Sequence, residues 1–254
     1  MAGERLDKVL AKHGFGSRKD AQRLVRREGI LLNGQLCRSP DQHIDLDTDI
    51  LEVGGQVLQL RRHLHLMMNK CGGVVCSAKD GLHRTVFDLL EEELRHQFLG
   101  GSLHLVGRLD IDTEGLLIFT TDGTMTHRLT SPKTHVTKKY LVGLRDRVEP
   151  DQQSQLVERF RQGITIAPEG DDGEHLCQPA ELEWISDREC HLTITEGRYH
   201  QVKRMMAAVG NEVVSLKRIA MGGLSLDASL GSGQYRELTT AELALLTNQA
   251  RWRS

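Results

Sequence analysis

The 254-residue sequence predicts an α+β protein in two parts, a small helix-and-hairpin module over residues 1–60 and a larger α+β body over residues 61–254. Three observations carry that prediction. Helix-spaced apolar positions and an Asn-Gly turn fill the first forty residues. Strand-length apolar runs then alternate with helical segments. Charge, finally, is divided unevenly between the two parts.

In the first module, Leu6, Val9, Leu10 and His13 share one face of a helix. Ser17 opens a second helix, with Asp20 three residues on in a capping-box spacing, and Gly29 closes it. Ala21, Leu24 and Val25 line one side of this helix, while Arg18, Lys19, Arg23 and Arg26 centre on the other. The pair Asn33-Gly34 supplies the positive φ angles of a tight turn between the strands Ile30–Leu32 and Gln35–Cys37. Residues 54–63, opened by Gly54 and Gly55, read as the end of the module and a linker.

In the body, "LHLMMNK" reads as a strand and "TVFDLLEEELR" as an amphipathic helix. "LHLVG" and "LLIFTT" are strand-length runs, the second ending at the turn signal Asp122-Gly123. "KYLVGL" and "CHLTITEG" are further strands. "YHQVKRMMAAVG" is a helix ending at Gly210, and "EVVSLKRI" is the strand after it. No repeat and no low-complexity segment interrupts this order.

The composition, 39% hydrophobic and 27% charged, suits a globular protein with a substantial core. A net charge of −2 conceals a basic head: residues 1–40 hold nine Lys and Arg against four acids, whereas residues 168–190 hold eight acids and Arg188 alone. Such a split points to one dedicated anion-binding surface. The five cysteines are scattered without a C-x-x-C pair, which argues against a disulfide framework or a zinc site and for a reducing compartment. With no signal-like start and no apolar run of spanning length, a cytoplasmic protein without membrane contact is expected.

Chemistry concentrates in Gly107-Arg108-Leu109-Asp110-Ile111-Asp112-Thr113-Glu114-Gly115-Leu116-Leu117, a polar, glycine-bounded loop between two apolar strands. Taken alone, it could be a charged loop in which Asp112 or Thr113 caps a turn. The stretch resembles the G-R-L-D-x-x-T-x-G-L-L signature of ribosomal RNA pseudouridine synthases of the RsuA family, and every fixed position is present. The resemblance implies that Asp110 is the catalytic carboxylate and that Arg108 contacts the RNA. It further implies a catalytic domain built on a mixed, mainly antiparallel sheet flanked by helices. "THVTKKYLVGL" is similar to the family segment that supplies an active-site tyrosine, here Tyr140. "EGRYHQVKRMMAAVGNEVVSLKRI" is similar to the segment that supplies a basic partner for the aspartate, by position Lys203, with Arg204 the adjacent alternative and an RNA contact. The head, "RLDKVLAKHGFGSRKDAQRLVRREGILLNG", resembles the small RNA-binding module of a small-subunit ribosomal protein, which implies RNA contact through Arg18, Lys19, Arg23 and Arg26. The plain alternative is a solvated face.

The residue types fit the implied reaction. Uridine becomes pseudouridine when the bond from C1′ to N1 breaks and C1′ joins C5 of the same ring. An ionised carboxylate acts on the sugar as the base departs, either by attack at C1′ or by assisting loss of the C2′ proton. A fixed cation keeps that carboxylate charged, and an aromatic ring offers a flat partner to a base turned out of its stack. No cofactor and no metal is expected, because nothing is oxidised and no group is transferred. The expected partner is ribosomal RNA, 16S in particular, free or in a partly assembled small subunit, with uridine 516 as target and the enzyme acting as a monomer. Competing readings are a large-subunit (23S) RNA enzyme, a non-catalytic assembly factor, a D-x-D metal site at Asp110 and Asp112, and a glycosidase pair of Asp110 and Glu114.

Overall fold

The computed structural model describes residues 3–46, 48–58, 60, 63–92, 94 and 103–249. The chain divides into two compact units, the first of residues 1–64 together with 92–101 and the second of residues 65–91 and 102–254.

The first unit opens with β1 (Glu4–Arg5), α1 (Leu6–Lys12) and α2 (Arg18–Arg27). Leu6, Val9, Leu10, Ala21 and Val25 are fully buried against one another, so the apolar faces read from the sequence form its core. His13 stands at the end of α1, its ring Nδ1 2.8 Å from the Val9 carbonyl. The Ser17–Asp20 capping box is present in both directions. Asp7, wholly buried, accepts from Arg5, from Arg18 and from Gln22 at 2.7 Å, which ties α1 to α2. This network holds the Asp7 carboxyl far below the usual carboxylate range. The strands β2 (Ile30–Leu32) and β3 (Gln35–Cys37) form the expected hairpin around Asn33 (φ 51°) and Gly34 (φ 79°). β4 (His43–Ile44) pairs with β1. β5 (Leu51–Val53) and β6 (Gln56–Leu58) complete a four-stranded sheet in the order β3-β2-β5-β6. Gly54 and Gly55, at the stretch read as the end of the module, turn β5 into β6.

In the second unit, β7 (His65–Lys70), β8 (His104–Leu105), β9 (Glu114–Thr120) and β10 (Lys138–Leu144) are joined by β11 (Thr165–Ile166) and β12 (His175–Leu176), which pair with each other. β13 (Glu181–Trp184), β14 (Glu189–Ile194), β15 (Val213–Met221), β16 (Leu224–Ser225) and β17 (Tyr235–Glu237) follow. The main sheet runs β13-β14-β10-β15-β9-β7-β17, with β8 on β9 and β16 on β15. Its pairings are antiparallel except one, β15 beside β9. This is the mixed, mainly antiparallel sheet that the family resemblance implies.

The parallel junction is narrow. Gly115 has φ +97°, and a Cβ there would fall on the backbone of Arg218, so only glycine lets the two strands close. Helices α3 (Gly123–Thr130) and α6 (Thr240–Gln249) supply Met125, Leu129 and Leu246 to a core completed by Met67, Leu116, Ile118 and Met221. The remaining helices are α4 (Pro150–Gln162) and α5 (Gln201–Ala207).

Several readings need correction. The turn signal Asp122-Gly123 is the start of a helix: Asp122 Oδ1 accepts from the N–H groups of Thr124 and Met125 and so caps α3. "LHLVG" yields only the two residues of β8. Within "TVFDLLEEELR" a 3₁₀ turn covers Val86–Leu89, capped by Thr85 and Asp88, and positions 93 and 95 lie outside the described residues. The tail at 250–254 lies outside them too.

Candidate active site

The loop from Gly107 to Thr113 is wrapped around an ammonium group. Lys70, at the end of β7, is completely buried. Its Nζ donates to the carbonyls of Asp110 (3.0 Å), Thr113 (2.7 Å), Cys71 (3.1 Å) and Ile111 (3.3 Å). A lysine buried among neutral dipoles is costly, and burial lowers its pKa. The Thr113 N–H donates to the Asp110 carbonyl at 3.1 Å, and the Gly73 N–H to the Ile111 carbonyl at 2.8 Å. The main chain that presents Asp110 is thereby fixed on several sides.

The Asp110 carboxylate, 29% exposed, points toward Lys203 on α5 and the ring of His200 at its N-cap. Lys203 Nζ lies 3.5 Å from Asp110 Oδ2, and also 2.6 Å and 2.9 Å from the two oxygens of Asp112. That ion pair lowers the Asp112 pKa. Of the two adjacent basic residues, Lys203 thus faces the aspartate. Arg204 instead turns inward, 7% exposed, and donates to Asp172 at 2.6 Å and to the carbonyls of Ala167, Tyr199 and Gly173. Its donors are spent on the protein, binding α5 to the segment 167–173.

Tyr140 on β10 and Arg108 line the same cavity as Asp110, a space of about 200 Å³. Tyr140 is 8% exposed, so its ring is a wall of that cavity and not a surface feature. In the first unit, Arg18 is committed to Asp7 and Arg23 pairs with Asp20 at 3.5 Å. Lys19 and Arg26 stand on the same helix.

Four further side chains were not singled out in the sequence. Lys70 carries the loop. His200 adopts a left-handed conformation (φ 47°) at the N-cap of α5; its Nδ1 lies 2.8 Å from Glu169 Oε1 and its Nε2 3.8 Å from Asp110 Oδ1. Its ring stacks on Tyr199 with centroids 3.7 Å apart. Lys138 and Arg218 also line the cavity. One signal pointed to Arg218: alternation along "SLKRI" puts it on the same side as the buried Leu216, and an arginine at a core position asks for a reason. Lys70 and His200 carried no comparable mark, because their partners lie far away in the chain. Chemically, the ensemble offers a carboxylate beside a cation, an aromatic wall, and a space of about 200 Å³ open to the surface at Arg108.

Comparison with known proteins gives a consistent result. Residues 63–208 match the family described as RNA pseudouridylate synthase, and residues 4–50 match the S4 domain. The ribosomal small subunit pseudouridine synthase A of Escherichia coli (strain K12) is 42% identical over 240 residues, which cover 94% of this chain and 98% of that protein. The uncharacterized RNA pseudouridine synthase YtzG of Bacillus subtilis (strain 168) is 43% identical over 247 residues, 95% of this chain and 98% of the relative. A crystal structure of a pseudouridylate synthase superposes with a TM-score of 0.64 at 39% identity, covering 95% of this chain and 99% of the other.

Proposed function

Since the chain belongs to the RNA pseudouridylate synthase family, we propose that it isomerises a uridine of small-subunit ribosomal RNA, uridine 516 of 16S RNA, with Asp110 as the carboxylate that acts on the sugar. The observation that carries the residue assignment is the cavity that Asp110 and Tyr140 share, with Lys203 held 3.5 Å from the carboxylate. The small-subunit target is supported by identity along nearly the whole chain to an enzyme named for that subunit.

The target uridine leaves its stack and lies against Tyr140. Asp110, with Lys203 3.5 Å away, acts on the ribose while the C1′–N1 bond breaks. The walls of the cavity keep the free base in place as it turns, and C1′ then joins C5. The C5 proton leaves and N1 gains one, so uridine and pseudouridine have the same composition. Arg108, exposed at the same cavity, is placed to meet a phosphate of the strand. In the first unit, Lys19, Arg23 and Arg26 are the phosphate contacts, and Arg18 shapes the helix that carries them through Asp7.

The test is a map of pseudouridines in ribosomal RNA from cells with and without the gene, complemented by wild type or Asp110→Asn. Loss of one small-subunit pseudouridine, restored by wild type and not by Asp110→Asn, is the expected result. A change confined to large-subunit RNA would move the target. Restoration by Asp110→Asn would remove the aspartate from the mechanism.

A further inference from the structure

Lys203 is shared between Asp110 and Asp112, whereas two other cations, buried Arg218 and half-buried Lys138, line the cavity itself. Arg218 is 2% exposed; its Nε donates to the Leu116 carbonyl at 2.8 Å, and its Nη2 is buried without a hydrogen-bond partner. Lys138, one side chain along β10 from Tyr140 on the same face, donates to the Val136 carbonyl at 3.1 Å. Among the described residues neither is in an ion pair. Strand register places Arg218 opposite Tyr140 on one side and Gly115, five residues past Asp110, on the other.

Burying a cation without a counter-charge is unfavourable, and two side by side repel, unless an anion arrives during the reaction. Burial and the neighbouring Arg218 charge push the Lys138 pKa down to about 8.

Two anions come with the substrate. Phosphates stay on the solvated strand, where the exposed Arg108 can meet them. The other anion is made in the cavity: when C1′–N1 breaks, the bonding pair stays on N1 and the negative charge spreads to the ring carbonyl oxygens O2 and O4. We propose that Arg218 and Lys138 form the subsite that holds the detached uracil while it is anionic, stabilising the state in which the base is free to turn. The charge is consumed when C5 bonds to C1′, the C5 proton leaves and N1 takes up a proton. This subsite rests on the pseudouridine synthase reading above and adds to it the groups that stabilise the leaving base. Donors fixed in advance at a developing charge are typically worth about 10²–10³ in rate each.

The test uses the full chain and an in vitro transcript of small-subunit RNA made with either uridine or 5-fluorouridine. Cleavage of the N1 linkage is followed in single turnover at saturating RNA by chromatography of nuclease digests. Fluorine withdraws electron density and stabilises the uracil anion by itself, so the protein's cations matter less. Lys138→Met is expected to slow cleavage of the uridine transcript about a hundredfold with RNA affinity unchanged, and to slow the fluorinated transcript far less. Arg218→Lys is expected to behave in the same direction. If Arg218 variants do not fold, Lys138→Met alone decides.

With wild type, the uridine rate should fall above about pH 8 as Lys138 loses its proton. Lys138→Arg should carry the rate to higher pH. The charges that act on Lys138 are Arg218 from β15, which lowers its pKa, and Glu196 from the loop after β14, which raises it; Arg108, Asp110, Arg198 and His200 share the cavity wall. Equal slowing of both transcripts, or a loss confined to affinity, would overturn the subsite and make these residues phosphate contacts. A wild-type protein that leaves both transcripts intact would overturn the RNA assignment itself.

Discussion

Lys70 shows how one side chain can set the geometry of a site without facing the substrate. Replacing it with methionine removes the donor from four carbonyls and leaves some of them buried and unpaired, at about 1–3 kcal/mol for each orphaned group. Lys70→Met is expected to lower thermal stability and, in protein that still folds, to cut single-turnover conversion about a hundredfold, the typical effect of a 1 Å misplacement. RNA affinity should stay near wild type. Full conversion by the variant would show that the loop holds its shape without the ammonium group. A sequence reader sees Asp110, Tyr140 and Lys203 because each sits in a local motif. Lys70 escapes because it acts across 40 residues, and His200 because its role comes from a left-handed backbone that no pattern of apolar positions announces.

At the scale of elements, α2 carries two unlike faces on one helix. Ala21 and Val25 fill the core of the first unit, Arg18 braces the buried Asp7, and Lys19, Arg23 and Arg26 extend from the same turns. Reversing Lys19 and Arg23 to Glu in the full chain leaves the packed side intact. It should weaken RNA binding and reduce the slope of log affinity against log salt by about 1.5–2, two phosphate contacts at close to one counterion each. Binding measured over a salt series checks this, and an unchanged slope would leave the basic side a solvated surface. The helix was legible because its signals are local: a capping box, a spacing of apolar residues and a closing glycine. α3 was not, because Asp122-Gly123 reads equally well as a turn, and only the packing of Met125 and Leu129 on the sheet decides for a helix. Likewise β8 came out shorter than its apolar run, since Val106 and Leu109 are buried in the loop and not in a strand.

For the whole molecule, two separately packed cores imply separable behaviour. Removing residues 1–60 should leave a folded catalytic body, checked by circular dichroism and a cooperative melt, because the core of the second unit is drawn from its own strands and helices. RNA affinity should fall by an order of magnitude or more, since phosphate neutralisation supplies much of such binding. The chemical step at saturating RNA should change much less, as Asp110, Tyr140 and Lys203 all belong to the second unit. A deletion that melts without cooperativity would make the head part of the fold and not an appendage.

The order of the large sheet has a consequence for how the protein comes into being on the ribosome. β15 is the seam: it stands between β10, with β14 and β13 beyond it, and β9, with β7 and β17 beyond it. Until residues 213–221 leave the exit tunnel, the nascent chain holds half-sheets whose edges, β10 and β9, lie open to unwanted pairing. Closing them requires contacts between Gly115 and Arg218, far apart in the chain, a slow step for topological reasons. One strand therefore joins the two halves and delivers Arg218 to the cavity in the same event. A chain arrested before that strand would carry Asp110 in its loop and lack the wall on which it works.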